Sequence, residues 1–346
     1  GSLYQLLCTA RTAAGRRRLA EWLKSPAVPG EIEARQQSAD ELAPRIGLRE
    51  DLGVLGDEVA PRAHPEMLAN WARAAPALAQ PRQVRLAALM FVLATFAITG
   101  LAIFGPLSRY WVAAAVAAQA LFALRYRAVI VPVIEAVGEA NRELGLLHAI
   151  LTRVEGEQFE SPPLLRLMER LRTQGHPPSV QIGRLRRLVD LLDSRRNQMF
   201  APFSALLLWS TQLATAIEQW RSVNGGAIVD WLDTIAEIEA LDCLAAYRYE
   251  HPGDPFPEVV DGRATFIGSG LGHPLLNEAN CVRNDVDLGP DQQMLIVSGS
   301  NMSGKSTLMR TVGINAVLAQ AGAPVRATSL RLSPLQVGGS IRVRDS

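Results

Sequence analysis

Most of the chain carries apolar residues at helical spacing. Leu3, Leu6, Leu7, Leu19, Trp22 and Leu23 mark helical structure over residues 3–24, closed by Ser25-Pro26. Ser161-Pro162-Pro163 ahead of LLRLMERLR reads as a helix start, with serine as cap and proline in the first turn. From Ser179 to Leu192 the positions Ile182, Leu185, Leu188, Val189 and Leu192 recur at three and four, predicting an amphipathic helix. Its arginines (Arg184, Arg186, Arg187), with Arg195 and Arg196 beyond, read as a solvated face. Asn197–Trp220 is long and strongly apolar. Asn224-Gly225-Gly226 predicts a break, and Ile228–Glu250 a further helix stopped by His251-Pro252-Gly253. Beyond Pro257 the rhythm changes to short apolar runs between Gly, Pro and Asn turns, the pattern of an α/β region.

One stretch departs from amphipathic spacing. Leu86–Leu107 is 22 residues without a charge, about 33 Å as a helix and enough to cross a bilayer core. After Arg109 comes a second uncharged run, Tyr110–Leu124, then Arg125-Tyr126-Arg127 and the apolar Ala128–Ile134. Tyr110, Trp111 and Tyr126 stand where an interfacial aromatic belt would put them. Arg82 and Arg85 flank one end and Arg125 and Arg127 the other, with Arg109 alone in the connecting turn. That bias predicts a transmembrane helical hairpin with both ends on the cytoplasmic side, its membrane contact running over residues 86–131. A pair of helices buried in a cytoplasmic all-α domain is the alternative reading.

Composition narrows the rest. Hydrophobic residues make up 48% of the 346 and charged residues 20%, with a net charge of +1. No global basic field therefore argues for nucleic acid. Cys8, Cys243 and Cys281 are far apart with no CxxC pair, and the five histidines show no HExxH spacing. Neither a disulfide framework nor a zinc site is predicted, and a reducing compartment fits.

The chemistry concentrates near residue 300. Met294-Leu-Ile-Val-Ser298 is a short apolar run of strand character. Gly299-Ser300-Asn301-Met302-Ser303-Gly304-Lys305-Ser306 follows as GxxxxGKS, and Thr307 opens a helix-compatible stretch. Strand, glycine-rich loop and helix in that order predict a phosphate-binding loop for a nucleoside triphosphate. Backbone N–H groups from Gly299 to Gly304 would wrap phosphate oxygens, and the helix N-terminus would face them. Lys305 would neutralise the β- and γ-phosphates, Ser306 would ligate Mg²⁺, and Thr307 would cap the helix near the α-phosphate. Lys305 is one of only two lysines, the other being Lys24. Hydrolysis needs a second acidic Mg²⁺ ligand, and Asp345 is the only carboxylate after the loop. An internal fragment that binds ATP without hydrolysing it alone, with no catalytic residue of its own, is therefore expected.

The loop with its flanks, LIVSGSNMSGKSTLMRTVGINAVLAQAGAPVRA, resembles the ATPase domain of MutS-type mismatch-repair proteins, whose loop reads T/S-G-x-N-M-x-G-K-S-T. Gly272-His273-Pro274-Leu275-Leu276 and Asn284-Asp285-Val286 are similar to that family's RHP and PND segments. LYQLLCTARTAAGRRRLAEWLKSPAVPGEIEARQQSADEL (3–42) resembles the start of its helical core, and Ile228–Pro252 the helix leading into the ATPase. The resemblance, closest to membrane-associated bacterial members, implies a mainly α fold followed by the truncated N-terminal part of an α/β P-loop ATPase domain. Residues 1–80 would begin the helical core, 81–135 form the hairpin of two transmembrane helices, 136–253 complete the core and 254–346 open the ATPase domain. It further implies ATP and Mg²⁺ as ligands, double-stranded DNA as partner, a homodimer formed through the ATPase domain, and a place at the cytoplasmic face of a bacterial inner membrane.

Two departures stand out. Where the family inserts a DNA-gripping clamp, this chain is short and carries the hairpin. Where an aromatic residue of the family often stacks on adenine, this chain has Cys281. The resulting expectation is a membrane-tethered, ATP-binding MutS-like ATPase related to DNA mismatch repair. A membrane-bound nucleotide switch acting on a protein partner, with no DNA role, is the second possibility.

Overall fold

A computed structural model describes residues 1–59, 65–172, 176–196, 199–300 and 304–339. The fold is mainly helical, as the pattern predicts. The first helices are α1 (Leu3–Leu7), α2 (Ala13–Lys24), α3 (Pro29–Leu42), α4 (Ile46–Val59), α5 (Pro65–Arg73) and α6 (Pro81–Phe104). They are followed by α7 (Arg109–Glu155), α8 (Pro162–Leu171), α9 (Pro178–Asp193), α10 (Ala201–Leu206) and α11 (Trp209–Glu250). The strands β1 (Glu258–Val259), β2 (Phe266–Leu271) and β3 (Asn284–Leu288) precede α12 (Lys305–Ala321) and β4 (Ser329–Leu332).

The chain divides into two compact units. One comprises Gly1–Ala60, Gly156–Glu169 and Asp233–Ser346. Its start is locally encoded: Ser2 accepts from the Gln5 N–H while the Gln5 side chain accepts from the Ser2 N–H, a capping box on α1. Thr12 caps α2 through the Gly15 N–H. The Glu239 carboxylate accepts from the Thr12 N–H at 3.2 Å and from its hydroxyl, tying α2 to α11. Burial raises the pKa of Glu239, and the Thr12 bonds work against that rise. Leu7, Leu19, Ile32, Leu42 and Leu48 are fully enclosed and form much of this unit's core.

The sheet of this unit has the order β1-β4-β2-β3. Strand β1 runs parallel to β4, and β2 is antiparallel to both β4 and β3. Phe266 stands opposite Leu332 on one side and Leu288 on the other. Phe266, Leu330 and Leu332 are buried, so alternate positions of β4 and the facing Phe266 feed one apolar face. The run Met294–Ser298 does not form the expected strand. Residues 292–300 have no regular secondary structure, and Met294 and Ile296 are 74% and 82% exposed. An apolar run becomes a central strand only when neighbours complete its hydrogen-bond ladder. None of the four strands pairs with this one.

The other unit comprises Pro61–Glu155 and Arg170–Leu232. Arg221 is buried and donates to the carbonyls of Trp71 (2.8 Å), Ala74 (3.1 Å) and Ala75 (3.1 Å), which close α5. Glu218 completes the arrangement, accepting from Arg221 and from the Ala77 N–H at 2.9 Å each. A buried ion pair persists when its remaining donors and acceptors are satisfied, as here.

Two elements differ from the periodicity reading. Asn224-Gly225-Gly226 does not break the chain; α11 runs through it for 42 residues. Gly225 is a close-approach position instead, where a Cβ would lie 2.6 Å from the Ala72 carbonyl oxygen. Asn197–Trp220 is not one helix. The short α10 ends at Leu206, Leu208 takes a left-handed φ of 49°, and α11 starts anew at Trp209.

Candidate functional site

The glycine-rich loop meets its helix at Gly304, whose φ of 87° places it in the left-handed region that glycine adopts without strain. From there α12 starts at once, the Leu308 N–H bonding the Gly304 carbonyl at 2.9 Å. Ser306 and Thr307 are exposed on the first turn, so the N–H groups that a helix N-terminus leaves unsatisfied face outward. The Lys305 ammonium folds back over the loop, donating to the Gly299 carbonyl at 2.6 Å and to the Ser300 carbonyl. Gly299, Ser300, Gly304, Lys305, Ser306 and Thr307 thus gather at one end of α12. Asn301, Met302 and Ser303 lie outside the described residues.

The opposite end of α12 is held firmly. Asn315, fully buried, donates through Nδ2 to the Gly272 carbonyl at 3.0 Å and to the Thr311 carbonyl at 2.9 Å. Its Oδ1 accepts from the Arg326 N–H at 2.8 Å. One amide therefore links the exit of β2, the helix and the segment leading into β4. Gly322 ends the helix with φ 90°, and a Cβ there would lie 2.5 Å from the Arg35 Cβ on α3. A helix anchored at its C-terminal half and open at its first turn is the arrangement an anion-binding loop needs. Loop spacing predicts the open end. Asn315 carries no motif signal, and only its zero exposure within a helix marks it.

The turn after β2 packs beside this helix. His273 accepts from the Leu275 N–H through Nδ1 at 3.2 Å and is mostly buried. Burial lowers its pKa, and the nearby Arg310 charge lowers it further, so the ring is neutral near pH 7. The Cys281 thiol accepts from the His273 N–H at 3.2 Å, which takes that side chain up in the turn. Asp285, at the start of β3, accepts from the Gly270 N–H at 2.7 Å. Nearby, Arg326 reaches Asp254 at 3.4 Å and Glu278 at 3.3 Å.

A groove of about 610 Å³ opens elsewhere in the same unit, lined in part by Arg49, Glu50, Glu239, Asp242 and Tyr249. Asp242 Oδ1 is buried there without a hydrogen-bond partner among the described residues. Burial lifts the Asp242 carboxyl to about 7, against the lowering influence of Arg49. No cluster of three metal-ligating side chains occurs among the described residues.

Helices α6 and α7 form an antiparallel hairpin around the turn at residues 105–108. The rings of Phe91 and Phe122 lie 5.0 Å apart, and the Thr95 hydroxyl donates to Gln119 Oε1 at 2.8 Å. Only Val84, Ala88, Val92 and Thr95 of α6 are buried, at spacings of four, four and three that make one seam. The rest of the helix is half-buried or exposed, Phe104 being 92% exposed. Among the described residues α6 alone is long and apolar enough to cross a membrane, with mean hydropathy 2.4. The expected second span, Tyr110–Leu124, is the first part of the 47-residue α7.

No family model matches the chain. Over 97 residues it is 42% identical to DNA mismatch repair protein MutS 1 of Haloarcula marismortui, covering 28% of this chain and 10% of that protein. Over 120 residues it is 38% identical to the probable DNA mismatch repair protein Msh6 of Drosophila melanogaster, covering 34% and 9%. The matched segment is MutS-like. Endonuclease MutS2 of Solidesulfovibrio magneticus gives a similar result, 42% identity over 78 residues, 22% of this chain and 10% of that protein. The chain thus spans about a tenth of the length of the MutS relatives it matches. The segments that resemble the MutS RHP and PND patterns come together through the β2–β3 pairing, and Asn315 joins the first of them to α12.

Proposed function

We propose that this chain works as a nucleotide-controlled, MutS-like DNA-binding module held at a membrane. The observation that carries the reading is the junction at Gly304. There a left-handed glycine delivers an exposed helix start, with Lys305 already against the loop carbonyls, in a chain whose matched segment is MutS-like. The residues fit ATP with Mg²⁺: the N–H groups at the open start of α12, a cation at Lys305, and hydroxyls at Ser306 and Thr307. ATP would supply the γ-phosphate whose presence or loss distinguishes two states. Lys305 would exchange the carbonyls of Gly299 and Ser300 for phosphate oxygens.

Double-stranded DNA is the partner this reading assigns, supported by relatives named for mismatch repair. A homodimer through the ATPase region belongs to the same reading. The membrane tether is supported by α6, the exposed apolar flank of the hairpin and the arginines at its base, and this reading puts those ends on the cytoplasmic side of an inner membrane. The switch without DNA is not favoured by the named relatives.

The test is duplex binding by the detergent-solubilised chain across a salt series, with and without ATP·Mg²⁺, in wild type and Lys305→Ala. ATP should change duplex affinity severalfold in wild type and leave the folded variant unaffected. Full ATP affinity in a folded Lys305→Ala protein would refute the nucleotide site. Clear ATP binding with no duplex binding at low salt would refute the DNA role.

A further inference from the structure

The arginines that orient the hairpin stand beside an apolar shelf at its foot that the tether itself does not use. No Asp or Glu occurs between Glu66 and Glu135, while Arg73, Arg82, Arg85, Arg109, Arg125 and Arg127 all lie there. Arg82, Arg85, Arg125 and Arg127 are exposed, and none forms an ion pair among the described residues. The Phe91–Phe122 and Thr95–Gln119 contacts set the register of the two helices. Continued downward, that register puts Arg125 and Arg127 level with residues 86–89, close to Arg85. From this level to the turn is about twenty residues, or about 30 Å of helix, the thickness of a hydrocarbon core. The four arginines therefore form a collar within about two helical turns at the foot of the hairpin, and Arg109 stands at the other end.

Just tipward of the collar lies the segment Met199–Leu208. Leu208 packs with Ala88 and Val92, alongside Phe91, Phe122 and Leu207. Met199 and Phe203 are 85% and 61% exposed, and Asp193 and Glu218 are the nearest carboxylates in sequence on either side. The chain breaks between α10 and α11, yet the carbonyls at the break are satisfied. Gln119 Nε2 donates to the Leu206 carbonyl, and Gln212 Nε2 to the Leu207 carbonyl at 2.8 Å. Backbone that leaves a helix at membrane depth needs such internal partners.

We propose that the collar of Arg82, Arg85, Arg125 and Arg127, with the shelf Met199–Leu208 above it, binds an anionic phospholipid. The guanidinium groups hold headgroup phosphates around the foot of the hairpin, and Phe203 and Met199 lie against the acyl chains. This rests on the membrane reading of the hairpin. The charge complement favours lipid over a second copy of the chain, because a second copy would bring four more arginines and no carboxylate to the same level.

The test is quenching of tryptophan fluorescence in the reconstituted full chain by brominated phosphatidylglycerol and brominated phosphatidylcholine, Trp209 and Trp111 lying beside the shelf and near the turn. At low mole fraction the anionic lipid should compete about fivefold or more better, the effect of one arginine near an anionic surface. The ratio should fall to one in R82Q/R85Q/R125Q/R127Q and, with less change, in F203S. Equal quenching by both lipids in wild type would overturn the lipid site while leaving the tether intact. No quenching by either would remove the membrane reading beneath it. Dimerisation that shields the shelf from both lipids would make a second copy the occupant and overturn the proposal.

Discussion

Replacing Asn315 by leucine tests whether α12 is held by a single buried amide. Leucine keeps the volume and removes all three hydrogen bonds. The Thr311 carbonyl keeps its helical partner, the N–H of residue 315 itself. The Gly272 carbonyl and the Arg326 N–H lose the partner they have here. Each such buried group costs about 1–3 kcal/mol when orphaned, so the loss should be about 2–6 kcal/mol. With a urea dependence of about 1–3 kcal/mol per molar, the denaturation midpoint should fall by about 1–3 M. Equilibrium urea unfolding followed by far-UV circular dichroism reads this directly. Because Asn315 sits ten residues beyond Lys305, hydrogen exchange along α12 should quicken, and ATP binding should weaken at urea concentrations where the rest stays folded. Asn315→Asp should keep the acceptor for Arg326 and place a carboxylate against the Gly272 carbonyl. It should therefore recover stability as pH falls and the carboxyl is protonated. A midpoint within about 0.3 M of wild type for Asn315→Leu, with unchanged exchange in α12, would refute the anchoring role.

Further outcomes follow from positions already described. Gly304→Ala meets open space and should cost only the left-handed backbone penalty, about 1–2 kcal/mol, whereas Gly322→Ala adds a clash with Arg35 and should cost clearly more; equal unfolding midpoints would refute the contrast. Asp242 carries a folded-state carboxyl raised from 3.8 to about 7, so the folded state binds the extra proton and stability falls as pH rises from about 4 to about 7. At about 1.4 kcal/mol per pH unit that loss reaches about 4 kcal/mol, and Asp242→Asn should flatten the profile and stabilise the protein above pH 7 in thermal melts. Arg221→Met leaves Glu218 charged and buried beside the end of α5, and should cost about 3–5 kcal/mol by urea unfolding; replacing Glu218 by Gln and Arg221 by Met together should cost less than Arg221→Met alone.

What this sequence determined by itself was local. The serine–proline signal placed the start of α8 and apolar spacing that of α9 close to where they lie, and Ser25 closes α2 as the Ser25-Pro26 pair predicts. Gly304-Lys305-Ser306 marked a loop-to-helix junction that α12 realises, because a helix start depends on the few residues around it. The uncharged Leu86–Leu107 run marked the first arm of the hairpin through composition and length alone.

Tertiary structure decided the rest. Gly225 carries the signature of a breaker in sequence, yet it lies inside a 42-residue helix because Ala72 approaches too closely for any larger residue. Met294–Ser298 has the composition of a strand but does not become one, since a strand exists only through its ladder with another. Asn315 and Arg221 were invisible as motifs, because each acts through groups tens of residues away that only packing brings within reach. Short-range patterning therefore specifies where helices begin and which loop faces phosphate. Long-range contacts decide which of those elements are held, which are exposed, and what they face.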